Sequence, residues 1–526
     1  MIRHTESRPS RLPAILIAAM VAAAGLPPSA HAGEAGSGGT APAADRAAGD
    51  QAPRTWRLGS LTFEACELGA RHSGASTAAW CNAFEVPENR DDPDSRRITL
   101  RLAVVRSDAG DAARKDMVLM LAGGPGQAAT ESFANTTWYR SILKHRHVVL
   151  LDQRGTGGSH PLSCPEAEKA AWAEEARMTE PDFDKVREWT RNCLDEVRRD
   201  ADPRYYTTTV AAEDLEDVRR ALGAPEFNVI GVSYGTRMAQ QYLMRHPDGV
   251  RSLVLDSPVP NEAILGEDFA RNLESALDRQ FAACTADPAC NKRFGDPWTT
   301  LRRLKAELAE HPRRVKIRDP QTYEETEQLL GPATLALVAR MYAYSPETAA
   351  LLPLSIDAAA AGNPGPLLAQ AKLMTGDLGD DMNGGMSMSI LCSEDADRLQ
   401  PRPEDADTVL GNHLIDGILA QCSVWPHGTR PDDFHAPVTT GKPVLVLSGE
   451  LDPVTPPAYG ETIMAGLSNA RHLILKGQGH AVFARGCMPQ LLDEFIARND
   501  PAGLDAACLD RLGPTPAFIH FNGATP

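Results

Sequence analysis

The chain has 526 residues, 42% of them hydrophobic and 23% charged, with a formal net charge of −17. Single cores rarely grow past about 250–300 residues, so this length predicts two structural parts. The acidic balance argues against a nucleic-acid partner, and no interior apolar run is long enough to cross a bilayer, so a soluble mature protein is expected.

Residues 1–32 read as a signal peptide. Arg3, Arg8 and Arg11 precede an apolar run over 12–26, Pro27 and Pro28 end it, and Ala30-His31-Ala32 supplies a small-x-small cleavage site. A permanent membrane anchor fits less well, because the run is short and closes on two helix breakers. Export to a periplasm or out of the cell is expected, with no membrane contact after cleavage. Loss of this segment removes three Arg against Glu6 and makes the chain more acidic still. Residues 33–54, rich in Gly, Ala and Ser, read as a flexible leader.

Short apolar runs bounded by Gly, Pro or Asp predict core strands over 98–105, 117–121, 147–151, 227–230, 252–255, 443–447 and 472–475. Helical patterns lie between several of them, for instance over 213–222. Such alternation predicts an α/β fold with a mostly parallel sheet covered on both faces. From 258 to 441 the strand signal fades and amphipathic helical stretches take over, at 268–284, 298–311, 331–344 and 346–361. The expected organisation is a core in two parts, 55–257 and 442–526, with a helical lid over 258–441 between them. An independent domain hung beside the core is the alternative. No internal repeat is found.

Ser233 sits in Gly231-Val232-Ser233-Tyr234-Gly235, between an apolar strand pattern and a helical one. Glycines at that spacing let a strand turn into a helix within a few residues and leave the serine exposed and strained, as in a nucleophile elbow. A serine hydroxyl is a poor nucleophile at neutral pH, so it needs a base and a group to orient that base. His480, in Gly477-Gln478-Gly479-His480, follows the last strand pattern. Asp452, in Ser448-Gly449-Glu450-Leu451-Asp452-Pro453, follows the strand pattern over 443–447. His472 and Glu450 are the rivals for these two roles, the first within a strand and the second two residues before Asp452. A tetrahedral intermediate also needs N–H donors, expected from the main chain of Tyr234 and of Gly124 in Gly123-Gly124-Pro125-Gly126.

Ten cysteines without a Cys-x-x-Cys pair, in an exported chain, point to disulfides rather than a metal site. Connectivity does not follow from sequence. Pairing neighbours along the chain would join Cys66 with Cys81, Cys164 with Cys193, Cys284 with Cys290, Cys392 with Cys422 and Cys487 with Cys508; free buried thiols are the alternative.

Taken together, Gly123-Gly124-Pro125-Gly126, Asp152-Gln153-Arg154-Gly155-Thr156-Gly157-Gly158-Ser159, the elbow with Thr236 after it, Gly449 to Asp452 and Gly479-His480 resemble the exported α/β-hydrolase serine peptidases of the proline iminopeptidase and tripeptidyl aminopeptidase group. The likeness runs from about 55 to 510, and Ser-Tyr-Gly-Thr is nearer the tripeptidyl branch. Proline iminopeptidases usually carry His before Gly-Gly-Pro-Gly, where this chain has Ala122. The resemblance implies an α/β-hydrolase core with a lid, an oligopeptide substrate cut from its free N-terminus, and no cofactor. Such an enzyme must hold an α-ammonium group, for which Glu394 and Asp395 are the candidate partners, with Glu267 and Asp268 behind them. Asp152 and Arg154 are expected to brace their own loop. The same triad also cleaves esters, so an esterase or other acyl hydrolase is the alternative activity, and a non-catalytic binding protein on the same scaffold is a third reading. Epoxide hydrolase and dehalogenase chemistry is disfavoured, because those relatives place a carboxylate at the nucleophile position.

Overall fold

The structure is a computed structural model that describes residues 55–525 apart from 70–73, 111–112, 114–115, 176–177, 179–181 and 321. The expected signal peptide over 1–32 and leader over 33–54 lie outside the described residues. In chain order the strands are β1 (Thr55–Leu58), β2 (Leu61–Gly69), β3 (Ser76–Pro87), β4 (Arg97–Val105), β5 (Met117–Leu121), β6 (Val148–Leu151), β7 (Phe227–Val232), β8 (Val250–Asp256), β9 (Arg313–Arg318), β10 (Glu325–Leu330), β11 (Val444–Gly449) and β12 (Ala470–Leu475). Ten of them form one sheet in the order β1-β2-β3-β4-β6-β5-β7-β8-β11-β12. The run from β6 to β12 is parallel, and β1 to β4 extend it antiparallel, with β4 pairing β6.

Residue choice follows position in the sheet. Every residue of β5, β6, β7 and β11 is buried, and a strand covered on both faces reads as a continuous apolar run, the pattern that marked them in the sequence. β2, by contrast, fully buries only Phe63 and Leu68. Such a strand has no apolar run to announce it, and the apolar pattern predicts no strand before residue 98. The structure corrects this. It also corrects the insertion, where the β9–β10 hairpin, written Arg-Arg-Val-Lys-Ile-Arg on its first arm, stands among the helices.

The chain leaves the sheet at the carboxyl end of β8 and returns as β11, and these two strands are neighbours, with Val444 opposite Leu253. Between them lie the helices Phe269–Ala286, Pro297–Glu310, Pro332–Ala343, Gly365–Asp381, Gly384–Glu394 and His413–Cys422, among others. Their starts are written locally. The Asp296 carboxylate accepts from the N–H groups of Trp298 and Thr299, with Pro297 in the first turn, where a missing N–H costs nothing. The expected helix over 346–361 is two pieces, Pro346–Ala349 and Leu352–Ala360. No helix among the described residues is long and apolar enough to cross a membrane. The cysteines are joined as Cys66–Cys81, Cys164–Cys193, Cys284–Cys290, Cys392–Cys422 and Cys487–Cys508, with Cα atoms 5.0–6.3 Å apart.

The loop after β6 is braced by charge. Asp152 accepts from the N–H and hydroxyl of Thr130 (2.8 and 3.0 Å) and from Gly158 N–H (3.0 Å). The fully enclosed Arg154 guanidinium grips Asp214 through Nε (2.6 Å) and Nη2 (2.7 Å), and donates to the carbonyls of Glu88, Tyr205 and Pro87. Removing one partner of such a pair strands the other charge in the interior, at a cost of roughly 3–5 kcal/mol. Asp214→Ala is therefore expected to lower unfolding stability by about that much in urea denaturation; a loss below about 1 kcal/mol would show that the pair is not a strut.

Candidate active site

β7 ends at Val232, and Ser233 follows at φ 57° and ψ −125° before the helix Tyr234–Arg245 begins. Non-glycine residues pay for a positive φ, and such strain persists only where the surroundings enforce it. Here the enforcement is steric. A Cβ on Gly231 would lie 2.4 Å from the carbonyl oxygen of Gly235, and one on Gly235 would lie 2.4 Å from that of Leu121. The turn is pinned further by Thr236, whose N–H and hydroxyl both donate to the Ser233 carbonyl (2.9 and 2.6 Å).

The loop after β5 runs beside this turn. A Cβ on Gly123 would sit 3.1 Å from the Ser233 Cβ, and Gly124, Ser233 and Tyr234 line one small cavity. Its other walls are mainly apolar: Val259, Ala263, Ile264, Leu265, Phe269 and Val454.

Asp452 and His480 come together at the ends of β11 and β12. The Asp452 Oδ2 lies 2.7 Å from His480 Nδ1 and accepts from the Thr455 hydroxyl (2.9 Å), while Oδ1 accepts from Val454 and Thr455 N–H (both 2.8 Å). Burial opposes the charge on this carboxyl, but the His480 ring and the two N–H donors outweigh it and hold it below the ordinary carboxylate range. The rivals lie elsewhere: Glu450 accepts from Gly477 N–H, and His472 bonds the Ser448 hydroxyl. His480 Nε2, the nitrogen remote from Asp452, is buried and makes no hydrogen bond among the described residues, so none joins it to Ser233. Catalytic hydrogen bonds are often long without substrate and tighten when it binds.

Residues 116–486 match the family model described as the α/β hydrolase fold. The chain belongs to that family. It is 25% identical over 468 residues to the serine protease Hip1 of Mycobacterium tuberculosis, covering 80% of this chain and 84% of that one. It is 30% identical over 190 residues to the tripeptidyl aminopeptidase of Streptomyces lividans, covering 34% and 35% of the two chains. It is also 26% identical over 157 residues to the proline iminopeptidase of Heyndrickxia coagulans, covering 30% and 40%.

Within this α/β hydrolase, Glu394 and Asp395 have surroundings unlike those expected for ammonium binders. Both are enclosed between the insertion and the core, and neither lines the cavity at Ser233. Asp395 Oδ2 is 2.6 Å from Arg237 Nη1, on the elbow helix. Glu394 accepts from the Thr208 N–H (2.6 Å) and hydroxyl (2.9 Å), and the Tyr234 hydroxyl bonds Thr208 Oγ1 at 2.6 Å. Nothing in the residue pattern marks this, because an adjacent acid pair reads the same on an open rim as in a closed seam.

Two further residues escaped the sequence reading. Tyr344, at the end of an insertion helix, takes the His480 N–H on its carbonyl (2.7 Å) and sets its ring edge-on to the imidazole at 5.2 Å. Asp256, at the end of β8, takes the Ser233 N–H on its carbonyl (2.9 Å) and the N–H groups of Val482 and Phe483 on its carboxylate (3.0 and 2.8 Å). Burial pushes that carboxyl up to about 6, against the pull of those donors and of His480. A signal was available: Asp256 is a lone acid closing a buried apolar strand.

Burial pushes the Glu394 carboxyl up to about 8, against the pull of the Thr208 N–H and the Arg237 charge. The folded protein thus keeps a proton that an unfolded glutamate, with a pKa near 4.3, has lost. Stability from this group is full below about pH 4 and declines as pH rises through about 8. Glu394→Gln, a permanent mimic of the neutral form, is expected to flatten the fall of Tm between pH 5 and 8.5 in calorimetry; a slope equal to that of the parent would refute the assignment.

Proposed function

We propose that this α/β hydrolase is an exported serine peptidase that removes residues or short peptides from the free N-terminus of oligopeptides through an acyl-enzyme. The observation that carries the reading is the buried Asp452–His480 pair, 2.7 Å apart, combined with a serine held at φ 57° on the neighbouring elbow. Ser233 Oγ attacks the scissile carbonyl and passes its proton to His480 Nε2, while Asp452 fixes the ring through Nδ1 and stabilises the imidazolium. The oxyanion is received by the main-chain N–H groups of Gly124 and Tyr234. His480 then protonates the departing amine, and water, activated by the same nitrogen, releases the acyl group.

Peptide as substrate is supported by the names of the relatives. Export is supported by the five disulfides, which persist in oxidising compartments, and by the character of residues 1–32. Glu394 and Asp395 are fully buried, so we assign the ammonium group to Glu267 and Asp268, whose carboxylates are partly exposed. Arg402 pairs with both (2.9 and 2.6 Å), so two carboxylates share one guanidinium and a net negative charge remains. Asp268 also accepts from the hydroxyl of Tyr459, which lines the cavity at Ser233 (3.2 Å).

A fluorophosphonate probe is expected to label the protein and to leave Ser233→Ala unlabelled. An unblocked decapeptide should be cut from its N-terminus, as read by mass spectrometry, and its N-acetylated form spared. Equal cleavage of both forms, or turnover of short-chain esters alone, would remove the aminopeptidase reading. Asp268→Asn should raise KM roughly 10-fold for peptides with a free amine, a loss typical of a charge-assisted hydrogen bond, and leave KM for an uncharged ester unchanged. An equal rise for both would place the ammonium elsewhere.

A further inference from the structure

The loop Gly123-Gly124-Pro125-Gly126 is held from outside the core. Asn383, at the N-cap position of the insertion helix Gly384–Glu394, donates to the Gly126 carbonyl from its main-chain N–H (3.2 Å) and from Nδ2 (3.0 Å). One turn on, the Ser387 hydroxyl donates to the Pro125 carbonyl at 2.5 Å. The contact is close: a Cβ on Gly126 would lie 2.9 Å from Ser387 Oγ, and one on Gly124 would lie 2.9 Å from the Met382 methyl.

A peptide unit is planar, and in a trans unit the N–H points opposite to the C=O, so gripping the carbonyl aims the N–H. Asn383 holds the Gly126 carbonyl, and the N–H of that same plane, on Gln127, donates to the Gly123 carbonyl at 3.4 Å. The N–H of the Gly123 plane belongs to Gly124. Two peptide planes thus connect a side chain of the insertion to the direction of the Gly124 N–H.

The far end of the same helix reaches the other donor. Glu394 bonds Thr208, Thr208 bonds the hydroxyl of Tyr234, and Asp395 pairs with Arg237 one turn into the elbow helix. The Cys392–Cys422 disulfide ties this end to the helix His413–Cys422.

We propose that the helix Gly384–Glu394 is the positioning element of the oxyanion hole, with Asn383 and Ser387 as positioning residues for the Gly124 N–H and Glu394 and Asp395 as those for the Tyr234 N–H. The insertion then serves the chemical step itself and not substrate entry alone. The inference rests on the reading of Gly124 and Tyr234 as oxyanion donors. Ser389 offers an internal control, for it lies on the same helix but donates to the Gly385 carbonyl and accepts from Trp425 Nε1, touching neither donor.

The test compares Asn383→Ala, Ser387→Ala and Ser389→Ala in the full chain, measuring kcat and KM on an unblocked peptide, inhibition by a peptide aldehyde of the same sequence, and Tm. The aldehyde forms a hemiacetal on Ser233 whose oxygen occupies the oxyanion position, whereas the ground-state peptide does not engage it fully. Misplacing one donor should lower kcat roughly 10- to 100-fold in Asn383→Ala and Ser387→Ala, with KM within about 2-fold and aldehyde affinity weakened in proportion to kcat. Ser389→Ala should lose Tm without losing kcat. The inference is overturned if Asn383→Ala and Ser387→Ala change only Tm or KM, or if Ser389→Ala loses kcat equally. A parent protein that neither turns over peptide nor binds the aldehyde removes the oxyanion reading and this inference with it; an active, aldehyde-sensitive parent beside fully active variants removes this inference alone.

Discussion

Two loops more than two hundred residues apart must come together before a serine hydroxyl can lose its proton to an imidazole, and in this protein Asp256 ties down both. Its carbonyl continues the sheet hydrogen bonding into the Ser233 N–H, and its carboxylate takes two N–H groups of the loop that follows His480. Enclosing a carboxylate is costly unless charge-assisted hydrogen bonds replace its water, and here the replacements are the main-chain N–H groups of Val482 and Phe483. The order β7-β8-β11 makes this possible, because β8 lies between the strand that delivers the serine and the strand that delivers Asp452. Ser257 completes the arrangement, giving its N–H to the Leu447 carbonyl and taking the Ala481 N–H on its hydroxyl.

The insertion is bound to the core through polar groups that have no water to fall back on. Arg237 with Asp395 and Glu394 with Thr208 are all buried, and breaking a pair of that kind costs several kcal/mol, roughly 3–5 when a charge is left alone. Tyr344 adds a contact to the histidine loop from another insertion helix. A region attached in this way is a layer docked on the core, and its side chains form part of the walls of the cavity at Ser233, Phe269 and Tyr344 among them.

Legibility in the sequence tracked how local each feature is. The elbow was readable because its glycines, strand and helix fall within twenty residues, and the close approach that demands those glycines is short-range. Fully buried parallel strands were readable because burial on both faces leaves an uninterrupted apolar run. The half-exposed β2 and the charged β9–β10 hairpin carry no such run and went unseen. Glu394 and Asp395 stand out in the sequence as an acid pair, but only packing against Thr208 and Arg237 shows which side of the insertion they face. Asn383 and Ser387 carry no mark in the sequence, because a small polar residue near a helix start is usually just a cap.

The sequence by itself determined the α/β class, the nucleophile turn, the candidates for base and acid, and the helical character of the insertion, all of which depend on residue type and short spacing. Tertiary structure alone decided that Asp452 rather than Glu450 meets His480, that Asp256 joins the serine strand to the histidine loop, and that an insertion helix grips the Gly123-Gly124-Pro125-Gly126 loop. The reason is physical. A carboxylate or a hydroxyl has no preferred partner within its own stretch of chain, and its role is set by whichever donors and acceptors the packed sheet and helices leave within about 3 Å of it.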